Sequence, residues 1–534
     1  MRVLILLVAL PLSALPPDER PGRDREPPSA PAPPAPSPVP APAPDPLDPP
    51  LGPSPAPAVA CPPGAAPLTA AEVQALLFAA AQALDSDYAV AVVDRGGEVL
   101  GVYDKNPAAT VHNERAVGLA RTAAFFSHDQ APLSSRTVRF LSGVHFPAGV
   151  ARTANAALYG IENTNRGCPL NVSFLGGQSV TPAMALAGGP GTGPVTGKPD
   201  PSDSHLPGPP AHKPGAVAVD PGGIPVFRGG FLVGGLGVAG PPAAEAEFAA
   251  ISGVAGGGFG IVPVNPLPPP GAVFIDGIRL PFVQQVKRPA GTVADPALGG
   301  SFAVAPVASP GCVPEGYLVG PLGSAQLSAA EVDRIVQQSI AAANRIRGVI
   351  RLPLGSRARM VIAVGDANGN VLALYRMADA TVFSIDVAVA KARNVAFYSA
   401  NGLPGVPPGT AVTNRTIGFG AQPLFPPGID GTSPGPFYNL FLQDLANPCT
   451  QGGTAPNVNG VVFFAGSVPL YRAGTNPPLL IGGLGISGDG VEQDDYVSFF
   501  GAQGFLPPES IRADQIKIGG VRLPFLKFPR NPER

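Results

Sequence analysis

Neither sign of charge is in useful excess in this sequence: 35 Lys and Arg stand against 37 Asp and Glu, a net charge of −2 at neutral pH. That excludes the basic face a nucleic-acid partner would need. Charge is sparse altogether, at 13% of residues, whereas glycine (68) and proline (71) are abundant, so much of the chain must run as long loops. Past residue 15 no apolar run is long enough for a transmembrane helix. Only four cysteines occur in 534 residues, with no Cys-x-x-Cys and no cluster of histidines, which argues against a metal site.

What the chain does have is repetition. Residues 91–127 and 363–399 align without a gap, and about 15 of those 37 positions are identical. Leu68-Thr69-Ala70-Ala71-Glu72-Val73 recurs as Leu327-Ser328-Ala329-Ala330-Glu331-Val332. Pro225-Val226-Phe227-Arg228 returns as Pro469-Leu470-Tyr471-Arg472, and Gly277-Ile278-Arg279-Leu280-Pro281-Phe282 as Gly520-Val521-Arg522-Leu523-Pro524-Phe525. Length alone allows two to four domains. The repeats select two, 61–289 and 312–534, joined by a connector at 290–311.

Ahead of them, residues 1–15 carry one Arg and then an apolar run, which reads as a secretory signal peptide, too short for a membrane span. Residues 16–60, rich in Pro and Ala, read as a disordered spacer. The expectation is export to the periplasm or the extracellular space. Such a compartment favours disulfides, and the symmetry of the repeats pairs Cys61 with Cys168 and Cys312 with Cys449; free, buried thiols are the other reading.

Each copy opens on a capping box, Thr69 with Glu72 and Ser328 with Glu331, at the head of an apolar-periodic helix. A strand follows (88–94 or 360–366), ending in Asp94 or Asp366, read as hairpin organisers. The turn is Arg95-Gly96-Gly97 or Asn368-Gly369, the latter expected to supply the positive φ angles of a two-residue turn. Return strands at 98–103 and 371–377 lead into second helices at 111–127 and 384–400. After a Pro/Gly-rich insertion comes another hairpin, and then final helices near 243–251 and 491–500. Hairpins without crossovers describe an α+β fold, an antiparallel sheet covered by helices, in two tandem copies. The runs from Gly235 to Gly240 and from Gly483 to Gly488 satisfy G-x-G-x-x-G. They lie inside a return strand and not in a strand-to-helix turn, so they signal close backbone approach rather than a dinucleotide.

At these residues the chain resembles the GlcG/HbpS family of haem-binding proteins. The resemblance rests on the capped helix, on Asp366 with Gly369-Asn370, and on Tyr375-Arg376-Met377-Ala378-Asp379-Ala380. It continues through Ser384, Ala388, Lys391 and Ala392, then Val468 to Arg472, Gly482 to Gly488, and Asp494-Asp495. Repeat two matches better: Asp104-Lys105-Asn106-Pro107 replaces Arg376-Met377-Ala378-Asp379, His112 replaces Ser384 and Leu119 replaces Lys391. The resemblance implies a profilin-like or PAS-like sandwich, self-association or an intramolecular pseudo-dimer, and haem or a related tetrapyrrole as the bound molecule. Haem degradation enters by family analogy only.

Haem binding needs an apolar slot, cations for the propionates and usually an axial His, Met, Cys or Tyr. All five histidines fall in repeat one or its insertion. His112 is the first ligand candidate, and repeat two would have to use Tyr375 or Met377, the latter equally a core residue. Arg121, Arg376, Ser384 and Lys391 complete the candidate haem site; Lys391 and Arg393 read either as propionate partners or as a solvated helix face. Asp494-Asp495 reads as a cation site or as helix N-terminal charge. No catalytic constellation stands out, so the expectation is a binding protein without turnover, or, in its place, a ligand-free assembly module. An open apolar pocket near 376–393 favours the first and a packed one the second.

Overall fold

The computed structural model describes residues 65–106, 112–154, 156–165, 218–262, 271–304, 313–446, 457 and 459–533. All of these fall in one compact unit, Pro55–Arg534. The expected leader, the expected spacer and all four cysteines with their two expected pairings lie outside the described residues.

Repeat one begins with α1 (Ala70–Ala81), whose capping box closes as the sequence predicts: Glu72 N–H donates to Thr69 Oγ1 at 3.2 Å and Thr69 N–H to Glu72 Oε2 at 2.8 Å. Strands β1 (Ala89–Asp94) and β2 (Val99–Asp104) form a hairpin, followed by α2 (Asn113–Phe126) and α3 (Ser135–Ser142). A second hairpin, β3 (Gly223–Arg228) and β4 (Phe231–Ala239), precedes α4 (Ala243–Gly256). The short ribbon β5 (Phe274–Ile275) with β6 (Ile278–Arg279) and the strand β7 (Ser301–Val304) end the copy.

Repeat two repeats the plan: β8 (Gly316–Val319), α5 (Ala329–Ala343), β9 (Met360–Asp366), β10 (Val371–Arg376), α6 (Ser384–Asn401), α7 (Asn414–Gly420), α8 (Tyr438–Ala446), β11 (Ser467–Arg472), β12 (Leu479–Gly488) and α9 (Val491–Gly501). The ribbon β13 (Lys517–Ile518) with β14 (Val521–Arg522) closes it. The two five-stranded sheets have the orders β3-β4-β1-β2-β7 and β11-β12-β9-β10-β8, antiparallel throughout. This is the α+β architecture expected.

The fifth strand differs in origin. In repeat two β8 precedes the first helix. Repeat one has only six residues between Cys61 and Leu68 where repeat two has fourteen between Cys312 and Leu327, too few for that strand and its return. Its place beside β2 is taken by β7, from the stretch read as a connector, with Phe302 opposite Tyr103 as Tyr317 is opposite Tyr375.

Each sheet is packed on both faces. In repeat one α1 and α4 cover one face, burying Leu76, Leu77, Val90, Val92, Leu236 and Val254, while α2 covers the other. The glycine pairs explain how closely α2 and α6 lie. A Cβ at Gly235 or Gly237 would stand 2.1 Å from the carbonyls of Ala120 or Ala116, and one at Gly483 or Gly485 equally close to those of Ala392 and Ala388. A side chain there would lift the helix off its sheet, so G-x-G here is a packing device.

One expected turn is built differently. At the β9–β10 hairpin only Gly369 takes a positive φ, 81°. Asp366 Oδ1 accepts from the Asn368 and Asn370 N–H groups, both at 2.9 Å, and so draws the turn out beyond two residues.

The copies pack on one another. Phe126 stacks on Phe383 with centroids 4.0 Å apart, Tyr159 on Phe441 at 5.0 Å, and the Val382 N–H donates to the Phe125 carbonyl at 3.0 Å. The apolar core on the α2 face of sheet one runs on without a break into repeat two. The chain is an intramolecular pseudo-dimer.

Candidate functional site

The sequence-predicted haem residues are not gathered into one pocket. His112 and Arg121 sit on α2 of repeat one, two and a half turns apart; the other five belong to repeat two. His112 is half-buried at the head of α2 against Gly240 and makes no capping bond. Arg121 is buried, and its Nε donates to the Gly97 carbonyl at 3.1 Å; Arg393 does the same to Gly369 at 2.9 Å. Each therefore ties the second helix to the tip of the first hairpin. Burial pushes the Arg121 guanidinium down to about 9.

The stretch 376–393 is packed. Arg376, buried, donates to the Ala380 carbonyl from Nε (3.1 Å) and Nη2 (2.6 Å) and to that of Val313 from Nη1 (3.0 Å). Met377 is 5% exposed, in the core. Tyr375 is half-buried, edge-to-face with Tyr317. The Ser384 hydroxyl hydrogen-bonds those of Thr381 (2.8 Å) and Ser487 (3.0 Å). Lys391, fully buried, donates to the Ile486 carbonyl at 2.8 Å and to Asp494 Oδ2 at 3.0 Å, with its ammonium 4.9 Å from the centre of the Phe464 ring. Burial pushes this lysine down and pushes Asp494 up to about 7, each against the pull of the other's charge. Lys391 is thus neither on a solvated face nor open to a ligand.

Asp495 is likewise spoken for. It pairs with Arg415 and accepts from the Gly466 and Lys527 N–H groups at 3.0 Å each. Glu247 in repeat one matches it, bound to Arg136 at 2.6 and 3.1 Å and to the Gln284 N–H at 3.1 Å. In both copies this carboxylate anchors the α3 or α7 arginine and the tail after the Leu-Pro-Phe motif. Among the described residues no cluster of His, Cys, Asp or Glu could hold a metal ion, and no helix is long and apolar enough to cross a membrane.

Sequence reasoning missed a buried ionic network between the copies. Arg351 pairs with Asp489 and, at 2.8 Å, with Asp379; Asp379 also pairs with Arg95 of repeat one at 2.8 Å and accepts from the Asp129 N–H at 3.1 Å. Burial pushes the Asp379 carboxyl up, but the paired Arg95 and Arg351 guanidinium groups outweigh it and hold it well below the usual carboxylate range. His128 Nδ1 accepts from the Gln130 N–H at 3.2 Å, so Nε2 carries the proton and donates to the Ile350 carbonyl at 2.9 Å. Burial, then Arg351, push this imidazole far down, leaving it neutral. Asp379, with φ +58°, lies inside the Tyr375–Ala380 motif and Arg95 in the first hairpin turn; Arg351 and Asp489 lie in segments without a pattern, and only the packing of the copies brings them together.

A cavity of about 890 Å³ opens elsewhere, beside α3 of repeat one. Its walls are α3 with the turn after it (143–149), residues 261–262, and the tail 271–286, with Leu352 contributed by repeat two. Phe140, Val273, Leu280 and Phe282 make it apolar, and Arg136, Arg139 and Arg279 bring positive charge. Arg139 pairs with Asp220 at 3.4 Å, whose other oxygen takes Arg115. A volume of this order suits a cofactor-sized molecule, so the body and carboxylates of haem fit the donor set. An axial ligand fits less well. His145 is the one described lining residue able to serve, and its Nδ1 lies 2.9 Å from the Thr153 carbonyl and its Nε2 3.1 Å from Asp430 Oδ1.

A family model described as haem degrading protein, HbpS-like, matches the chain twice, over residues 68–255 and 327–502. Among curated proteins none matches. Similar solved structures include a crystal structure of a PduOC:heme complex (24% identity, TM-score 0.22, covering 34% of this chain and 94% of that one). Others are the Klebsiella pneumoniae protein ORFY (24%, TM-score 0.20, covering 32% and 87%) and a double mutant of Streptomyces reticuli HbpS (20%, TM-score 0.19, covering 34% and 88%).

Proposed function

Because the chain belongs to the HbpS-like family, with two tandem copies in one polypeptide, we propose that it is an exported protein that binds haem or a related tetrapyrrole without turning it over. The observation that carries this reading is the double family match, and the apolar, arginine-bearing cavity of ligand size supports it. Haem when bound would supply redox-active iron; the chain's own part is to shield a flat apolar body and to meet its carboxylates with guanidinium groups. Adding haemin to purified protein and following the Soret band tests the reading: a saturable red shift is expected, and its absence would remove the proposal. Haemin held by the protein should also lose its Soret absorbance under reductant no faster than free haemin; faster loss would make the protein an enzyme. N-terminal sequencing of the secreted form should begin downstream of residue 15.

A second reading, a ligand-free assembly module, is favoured by one specific observation: at 376–393, where the family motifs concentrate, every polar side chain already has an internal partner.

A further inference from the structure

We infer that the ligand is held once per chain, by the repeat-one cavity beside α3, and that this site recognises the apolar body and carboxylates of a tetrapyrrole rather than its metal. This rests on the tetrapyrrole reading above and adds the place, the stoichiometry and the chemistry recognised.

Among the described residues the matching place in repeat two is filled, for a reason written in loop lengths. From Ser127 to Leu133 the chain advances six residues, whereas from Ser399 to Val412, the matching pair, it advances thirteen. In both copies the serine hydroxyl accepts the N–H of the second residue, so the loops start and end at equivalent points. The seven extra residues of repeat two bring Leu403 and Val406 into one apolar cluster with Leu523, with Ile516 and Ile518 packed against it. Leu523 matches Leu280 of repeat one, which has no such filling and lines the cavity instead. Arg139 also has no counterpart, because Gly418 stands in its place and a Cβ there would meet the Phe463 carbonyl at 2.0 Å.

Charge and exposure point to an amphipathic anion. Of the arginines lining the cavity, Arg136 pairs with Glu247 and Arg139 with Asp220, whereas Arg279 is exposed with no ion-pair partner among the described residues. Large apolar side chains are left in water around the cavity. Val286, at 61% exposure, lines it, and Val150 (48%) and Leu354 (62%) follow lining residues within two positions. Ile429 (52%) adjoins Asp430, the partner of His145. Such a rim covers apolar surface of a bound molecule. With both His145 nitrogens engaged, metal ligation is not what holds the ligand.

The full-length protein should be titrated with haemin, followed by Soret absorbance, and separately with metal-free protoporphyrin IX, followed by its fluorescence. One equivalent of either is expected, with dissociation constants within about tenfold of each other. Val273→Trp, which fills the cavity, and Arg279→Glu at its exposed rim should each weaken both at least tenfold, whereas Arg522→Glu, the matching change in repeat two, should weaken neither. Two equivalents per chain, haemin binding indifferent to both repeat-one variants, or a low-spin His-ligated spectrum with haemin bound a hundredfold tighter would overturn the inference while leaving the tetrapyrrole reading intact. Failure of wild-type protein to bind either probe would instead overturn that reading, and this inference with it.

Discussion

In repeat two a lysine and an aspartate, Lys391 and Asp494, meet in the core beside Gly466; in repeat one the same two places hold Leu119 and Ala246 beside Gly222. All four side chains are buried, and the helices and strands around them superimpose in order and register. The comparison teaches that this sandwich does not need the ion pair. Two charges taken out of water gain from each other little more than they lose by desolvation, so an apolar pair of fitting volume serves the same fold. What differs is the penalty for removing one partner. Lys391→Ala should destabilise the protein by about 3–5 kcal/mol, because it strands Asp494 in the core, and Lys391→Leu with Asp494→Ala, copying repeat one, should restore most of that in denaturant unfolding. If the double variant is as unstable as the single, the copies are not interchangeable at this point.

The junction between the copies is the next place to press. Arg351→Met leaves Asp489 and Asp379 without their shared guanidinium and should cost about 3 kcal/mol; urea unfolding that then splits into two steps would show the two copies parting company. At the helix starts the copies are alike, so Thr69→Ala and Ser328→Ala should each cost about 1 kcal/mol. Unequal losses would show that one copy carries more of the cooperative unit.

A further difference to test is a pH dependence. Burial pushes the Asp94 carboxyl up to about 7. A carboxyl that holds its proton more tightly when folded favours the folded state at low pH, and that advantage is lost as pH rises from its unfolded value near 4 towards 7. Asp94→Asn should flatten the stability profile over that window, keeping the hydrogen bond from the Glu98 N–H through its amide oxygen. An unchanged profile would mean that the hairpin opens enough to hydrate the carboxylate.

The parts of this fold that were legible were local or repeated. Thr69 with Glu72 and Ser328 with Glu331 marked their helix starts because a capping box is satisfied within four residues. The glycines of β4 and β12 could be taken as close-approach positions because they fall inside a strand. The candidate site was read less well. Lys391 and Arg121 look from sequence like groups waiting for an anion, but their partners, Asp494 and the Gly97 carbonyl, lie about a hundred residues away or across a hairpin. No local pattern reveals that a cation is already neutralised. The cavity was invisible for the opposite reason, since it is defined by seven residues that repeat one lacks.

By itself the sequence determined the doubling, the caps, the hairpins and the alternation of helix and strand, because each depends on neighbours a few residues apart or on the comparison of one copy with the other. Only tertiary structure decided that β7 would fill an edge left open by a shortened N-terminal segment, that Arg351 would join Asp379 and Asp489 across the copies, and where space would remain. These are questions of which distant surfaces meet and how completely they fill the volume between them, and packing settles such questions over the whole chain at once.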